Sequence, residues 1–265
     1  MKKKMLTFTI IMTIILSLFG CAKKDKNPKA PKANEPADVK IEQILPQTAY
    51  LAAVRRQLKD VEWKNYIFTG TFDYDKTKES SQIWAYEMGV LLTNCGFASA
   101  IKDEEGVKTL SDEILTHAQK ADIVDEDVVM KIMDIIHSFE ALIKDENYKE
   151  ISNKVKEIES VIRKYYKNKQ DEAVIMTVKF SCWLEAFYIV ARAVTDNYND
   201  ALLNLFNRGQ EVSYFKNAFS KKGKMGETAL LDKMAKAMEH KDAMNEATVK
   251  KILADITEFR TQYVK

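Results

Sequence analysis

The chain is short of the residues that interrupt regular structure. Only four prolines occur, and the last is Pro46, so none lies between Gln47 and Lys265. Glycine is scarce too, eight in 265 residues, and no glycine-rich phosphate loop or G-x-S-x-G elbow can be found. There are three cysteines and none pairs with another at metal-binding spacing; the H-E-x-x-H pattern is also missing. These gaps remove the usual reasons to propose catalysis. No excess of positive charge marks the folded part, which argues against nucleic acid as a partner. The formal charge of +2 arises from the first forty residues, which carry nine lysines and three acids, because residues 41–265 carry 32 basic and 36 acidic side chains, a net charge of −4.

What is present begins at the amino terminus. Lys2, Lys3 and Lys4 precede fourteen uncharged residues, Leu6 to Phe19. A permanent transmembrane helix needs about twenty apolar residues, so this run fits a secretory signal better than a span. It ends in Leu18-Phe19-Gly20-Cys21, which resembles the lipobox of bacterial lipoproteins. The resemblance implies cleavage before Cys21 and fatty acylation of that cysteine. Phe19 is bulkier than the small residue usual at its position. Ala22 follows the cysteine where an inner-membrane signal would have aspartate, which by the same resemblance implies the outer membrane. Residues 22–40 then hold three of the four prolines and six lysines, with no aromatic residue. Such a segment buries too little apolar surface to fold; it reads as a disordered, semi-rigid tether reaching roughly 60 Å at about 3.1 Å per residue.

From residue 41 onward the pattern is helical, with apolar residues recurring at 3.6-residue spacing. The fold class expected is all-α, a single bundle of about eight or nine antiparallel helices. The first helix is expected over Thr48–Asp60. An irregular patch, Trp63 to Lys78, follows with Trp63, Tyr66, Phe68, Phe72 and Tyr74 around the Thr69-Gly70 turn signal. It reads as a hairpin or a loop that covers the core; Asp73, Asp75, Thr77 and Glu79 lack the glycine and distal glutamate of a calcium loop. Further helices are expected over Ser80–Ile101, Glu104–Lys120, Asp125–Lys144, Asn147–Tyr166, Asp171–Thr195, Asn199–Ser220, Gly226–His240 and Asn245–Tyr263. Ala85 with Gly89, and Gly96 with Ala100, are small residues spaced to admit a second helix closely. The Asp171–Thr195 helix is the most apolar and is expected at the centre, since a helix greasy on all sides is surrounded by others.

Two blocks carry a wider resemblance. Met88-Gly89-Val90, Phe97-Ala98 and Ala121-Asp122-Ile123 form one, and Trp183-Leu184-Glu185-Ala186-Phe187-Tyr188-Ile189 the other. Together they resemble a group of uncharacterised helical lipoproteins of Gram-negative bacteria, whose pattern has aspartate where this chain has Asn94. The resemblance implies an all-helical lipoprotein and supplies no activity, cofactor or metal.

Candidate site residues are few. Cys21 is the expected lipid attachment. Glu185 and Arg192, seven residues apart, share a helical face with Tyr188. They read either as a polar pocket among the helices or as a solvent-facing lane or structural ion pair. Asp134, His137 and Glu140 share another face, but a dinuclear carboxylate site requires that motif twice; His137 reads as a partly exposed histidine. His117 and His240 carry no motif. Cys95 and Cys182 fall in apolar helical patterns and are expected as buried thiols, with a bridge between them, which needs their helices to be neighbours, as the alternative. The function expected is a membrane-anchored helical domain that binds or scaffolds another envelope protein without catalysis. A small-ligand or metal-binding module around Glu185 and Arg192 is the alternative.

Overall fold

The structure is a computed structural model that describes residues 50, 54–68, 70, 72, 80–120, 125–206, 208–223, 225–238 and 244–264. Residues 1–49, with Cys21 and the expected signal and tether, lie outside the described residues, as do the whole Asp73–Glu79 run and His240. All described residues belong to one compact unit, Val39–Lys265.

Eight α-helices can be followed end to end among the described residues, with no strand. They are α1 (Ser81–Ile101), α2 (Glu104–Lys120), α3 (Glu126–Lys144), α4 (Tyr148–Asn168), α5 (Glu172–Asp196), α6 (Gly209–Ser220), α7 (Met225–Met238) and α8 (Glu246–Arg260). Local chemistry sets most starts. Ser80, Asn147, Asp171 and Asn245 each accept a hydrogen bond from a backbone N–H in the first turn, which satisfies donors that have no intrahelical partner. Asp125 stands at the expected start of α3 but makes no such bond; its carboxylate faces Lys169 instead, at 3.4 Å. The scarcity of glycine shows at the other ends. Lys102, Glu146 and Gln170 take left-handed backbone conformations (φ 60°, 53° and 58°) where glycine is the usual residue.

The centre is a pair of helices, α1 and α5. On α5, sixteen residues from Val174 to Val194 are buried, in line with its apolar sequence. α1 is enclosed as fully, from Trp84 to Ser99, although Glu87, Thr93, Asn94 and Ser99 interrupt its apolar pattern. α5 is long and apolar enough to cross a membrane by composition, yet 72% of its apolar window is buried against the rest of the domain. Gly96 approaches Val155 and Trp84 meets Tyr166, so α4 is antiparallel to α1. α1 and α5 then run the same way, Ala85 beside Ser181 and Asn94 beside Glu185.

The two helices touch backbone to side chain at Gly89. A Cβ there would fall 1.8 Å from Ser181 Oγ and 2.8 Å from the Val178 carbonyl. The second small pair behaves differently: a Cβ on Gly96 would meet only Val155 Cγ1 at 3.8 Å, and Ala100 is exposed. α3, α4 and α8 pack one stripe each, for example Ile151, Val155, Ile158 and Ile162 on α4. Fully burying such a side chain contributes about 1.5–3 kcal/mol.

The expected Asn199–Ser220 helix is broken. A 3₁₀ segment, Asp200–Phe206, precedes α6, because Arg208 leaves helical geometry (φ −115°, ψ 26°) and forms an ion pair with Glu211 at 2.9 Å, both groups mostly buried. In the aromatic patch before α1, Trp63–Tyr66 form a 3₁₀ turn, and the described residues 67, 68, 70 and 72 continue it as a strap over the core. Trp63, Tyr66 and Phe72 are buried, and Trp63 meets Phe97 edge-on at 5.4 Å. These rings close the core and are not displayed for a partner.

Candidate functional site

The densest polar arrangement among the described residues surrounds Glu185. An ionised carboxylate in the core is costly unless it is paired and hydrogen-bonded, and Glu185 is 1% exposed. Arg260, the last residue of α8, satisfies it with a two-pronged contact: Nε to Oε2 at 2.7 Å and an NH2 nitrogen to Oε1 at 3.0 Å. Such fork-to-carboxylate bonds are the strong ones. Asn94 of α1 donates a third bond to Oε1 at 2.8 Å. Its Oδ1 accepts the Phe68 backbone N–H at 2.8 Å, so one amide links the strap to the buried acid. Aspartate at 94, as the resemblance has it, would present a second acceptor to Glu185 and no donor.

The cations are layered with rings. Arg260 lies between Phe68 (5.1 Å) and Tyr188 (4.7 Å). Arg192 lies between Tyr188 (5.6 Å) and Tyr66 (5.3 Å). Tyr66 donates its hydroxyl to Asp196 at 2.9 Å, and Arg192 reaches the Asn65 carbonyl at 3.5 Å. The order Tyr66, Arg192, Tyr188, Arg260, Phe68 thus clamps the strap onto α5 and α8. Burial works against the Arg260 charge, but the Glu185 carboxylate outweighs it and the guanidinium pKa rises. Tyr86 stacks on Tyr263 at 4.2 Å with its hydroxyl buried; burial first, then the Glu185 charge, push its pKa well up.

The sequence candidates therefore meet in one cluster. Tyr188 touches both arginines; Glu185 is neutralised by Arg260 rather than Arg192, which correction follows from a contact 75 residues away in sequence. Clefts among the described residues include ones on the α1–α2 turn, the α3–α4 surface and the α4–α5 seam. Three donors on its carboxylate hold Glu185 in the core as a paired anion. Arg260 and Asn94 carried no sequence signal beyond the departure noted at Asn94.

His117 forms a second buried polar knot. Its Nε2 faces the Trp84 carbonyl at 3.1 Å and Glu87 Oε2 at 3.6 Å, while Trp84 Nε1 donates to the His117 carbonyl at 3.2 Å. Trp84 stacks on the imidazole at 5.9 Å and Phe72 leans on it at 5.5 Å. Burial lowers the histidine pKa to about 4, partly countered by the Trp84 carbonyl. His137, in contrast, is exposed on α3 beside exposed Asp134 and Glu140. Among the described residues no three His, Cys, Asp or Glu side chains are grouped to hold a metal ion. Cys95 and Cys182 are free and buried; burial pushes the Cys95 thiol up to about 12 and Cys182 up as well, which leaves neither as a nucleophile.

No family model, no curated protein and no solved structure matches this chain.

Proposed function

We propose that this protein is a bacterial lipoprotein: residues 1–20 are the signal, Cys21 carries the fatty acyl groups, and residues 22–40 tether the helical domain (41–265) to the membrane. The domain binds or scaffolds another envelope protein and catalyses no reaction. The observation that carries this reading is the amino-terminal pattern, three lysines, fourteen uncharged residues and Leu18-Phe19-Gly20-Cys21. One acyl chain anchors only marginally, whereas two or more hold a protein on lipid. The six lysines in residues 22–40 add attraction to anionic lipid of about 1 kcal/mol each near the surface. Ala22 favours the outer membrane. A scaffolding role is supported by the paired Glu185, the thiols buried in the core and the charge-mixed surface. The net charge of −4 on residues 41–265 speaks against nucleic acid.

Mass spectrometry of the native protein tests the reading. The expected amino-terminal peptide begins at Cys21 with its sulfur diacylglyceryl-modified, and Cys21→Ser leaves the membrane on carbonate washing. An unmodified thiol at position 21 in membrane-derived material ends the proposal.

A further inference from the structure

Charge is shared unevenly over the folded part. α4 carries six basic and three acidic side chains, while the remainder of residues 41–265 carries 26 and 33. An acidic domain thus presents one basic helix. On that helix the signs are also sorted by face. At about 100° per residue, Lys149, Lys156, Arg163, Lys164 and Lys167 fall on one side, and all five are exposed. Asn153 and Ser160, which lie between them, are uncharged. Glu150 and Glu157 border one edge of this lane, and Glu159 borders the other, where α5 lies. From Lys149 to Lys167 the lane runs about 27 Å at 1.5 Å per residue. Lys179 of α5, half-buried beside Arg163, adds a further positive charge at that edge.

Neither helix electrostatics nor pairing accounts for the lane. The dipole favours cations in the last turn only, which covers Lys167, whereas Lys149 stands in the first turn, where a cation is unfavourable. Arg163 and Lys167, four residues apart, repel each other. Off the lane, Lys154 pairs with Glu157 at 2.8 Å, and Lys169, just past the helix, with Asp125 at 3.4 Å. Among the described residues no carboxylate comes within 4.0 Å of any of the five lane cations. A protein partner matches the lane poorly, because interface cores are depleted in lysine and rich in aromatic residues, and this face has no aromatic or aliphatic residue.

We propose that α4 lies along an anionic lipid bilayer, with its five-cation lane against the phosphodiester headgroups and the acidic remainder of the domain turned away. The proposal rests on Cys21 as the lipid attachment, which brings the domain within reach of a bilayer. The contact is electrostatic, since the lane has no apolar side chain to enter the hydrocarbon, and it sets the orientation of the tethered domain.

The native protein, purified in detergent and reconstituted with phosphatidylcholine vesicles with or without phosphatidylglycerol, tests this. Sedimentation with vesicles reports the anchor. Brief amine acylation, read site by site by mass spectrometry, reports the lane. The protein is expected to sediment with both kinds of vesicle. Phosphatidylglycerol should lower labelling of Lys149, Lys156, Lys164 and Lys167 about fivefold or more, and leave Lys216, Lys233 and Lys250 on α6, α7 and α8 unchanged. Salt at 1 M, where the screening length is about 3 Å, should remove the difference. A Lys156→Gln/Arg163→Gln/Lys167→Gln variant, altered only at exposed positions, keeps its urea unfolding curve and still sediments. Each charge removed weakens the contact about fivefold, so its Lys149 and Lys164 label equally on both vesicles.

Sedimentation with both vesicles but equal labelling of the lane overturns the lane and keeps the anchor. Sedimentation with the anionic vesicles alone, the lane protected, supports the lane and overturns the anchor; sedimentation with neither overturns both. Protection that survives in the triple variant also overturns the lane. Protection by polyglutamate, with none from phosphatidylglycerol, assigns the lane to an acidic protein and overturns the lipid surface.

Discussion

At the scale of single residues, the cost of burying charge organises this protein. Glu185 cannot reach water, whereas Arg260 keeps 12% of its side chain exposed. Removing each partner should therefore have unequal effects. Arg260→Met strands an anion in the core and is expected to cost about 3–5 kcal/mol. Glu185→Met leaves an arginine that can turn outward, so it costs less, and the double variant costs less than Arg260→Met alone. Urea unfolding of the three variants checks this; equal losses for both single substitutions would show that the charge is not what matters. Reading from sequence found Glu185, Tyr188 and Arg192 because they share a helical face. It missed Arg260, since nothing local in the last turn of α8 marks a partner for α5.

His117 sets a pH dependence at the same scale. Its pKa is about 4 in the folded protein against an ordinary 6.5. Folding thus excludes a proton that the unfolded chain binds, and the stabilisation is complete above pH 6.5. It declines as pH falls from 6.5 toward 4, by about 3 kcal/mol in all, with no further loss from this group below that. Unfolding of His117→Phe across this window is expected to show a shallower slope than the parent; parallel slopes would remove His117 as the cause.

At the scale of elements, two glycines on one helix make opposite demands. Gly89→Ala drives a methyl into Ser181 and the Val178 carbonyl, an overpacking expected to cost about 1–3 kcal/mol or more. Gly96→Ala meets nothing closer than Val155 at 3.8 Å and should stabilise α1 by up to about 1 kcal/mol. Thermal unfolding separates the two by sign. The helix ends offer a matching case: exposed Gln170 holds φ 58°, so Gln170→Gly should raise stability by roughly 1 kcal/mol. Helix starts were legible from their capping residues, and the spacing of Ile151, Val155, Ile158 and Ile162 announced the inner face of α4. The break before α6 was not, because it follows from Arg208 turning inward to Glu211 against a sequence that otherwise continues a helical pattern.

At the scale of the molecule, α1 and α5 form the part every other contact encloses. Their amides, from Trp84 to Ser99 and Val174 to Val194, should exchange with deuterium last, and those of α2 and α3 near solvent earlier. Exchange as fast in α1 as in α3 would contradict this centre. By itself the sequence determined the helical class, most helix boundaries and the buried stripes, since propensity, capping and periodicity act over a few residues. Only the tertiary structure decided that α1 shares the centre with α5, that Glu185 belongs to Arg260 and Asn94, that the strap aromatics face inward, and that Lys179 stands beside Arg163. Each of these joins side chains from separate elements, and which distant groups meet depends on how whole helix faces pack.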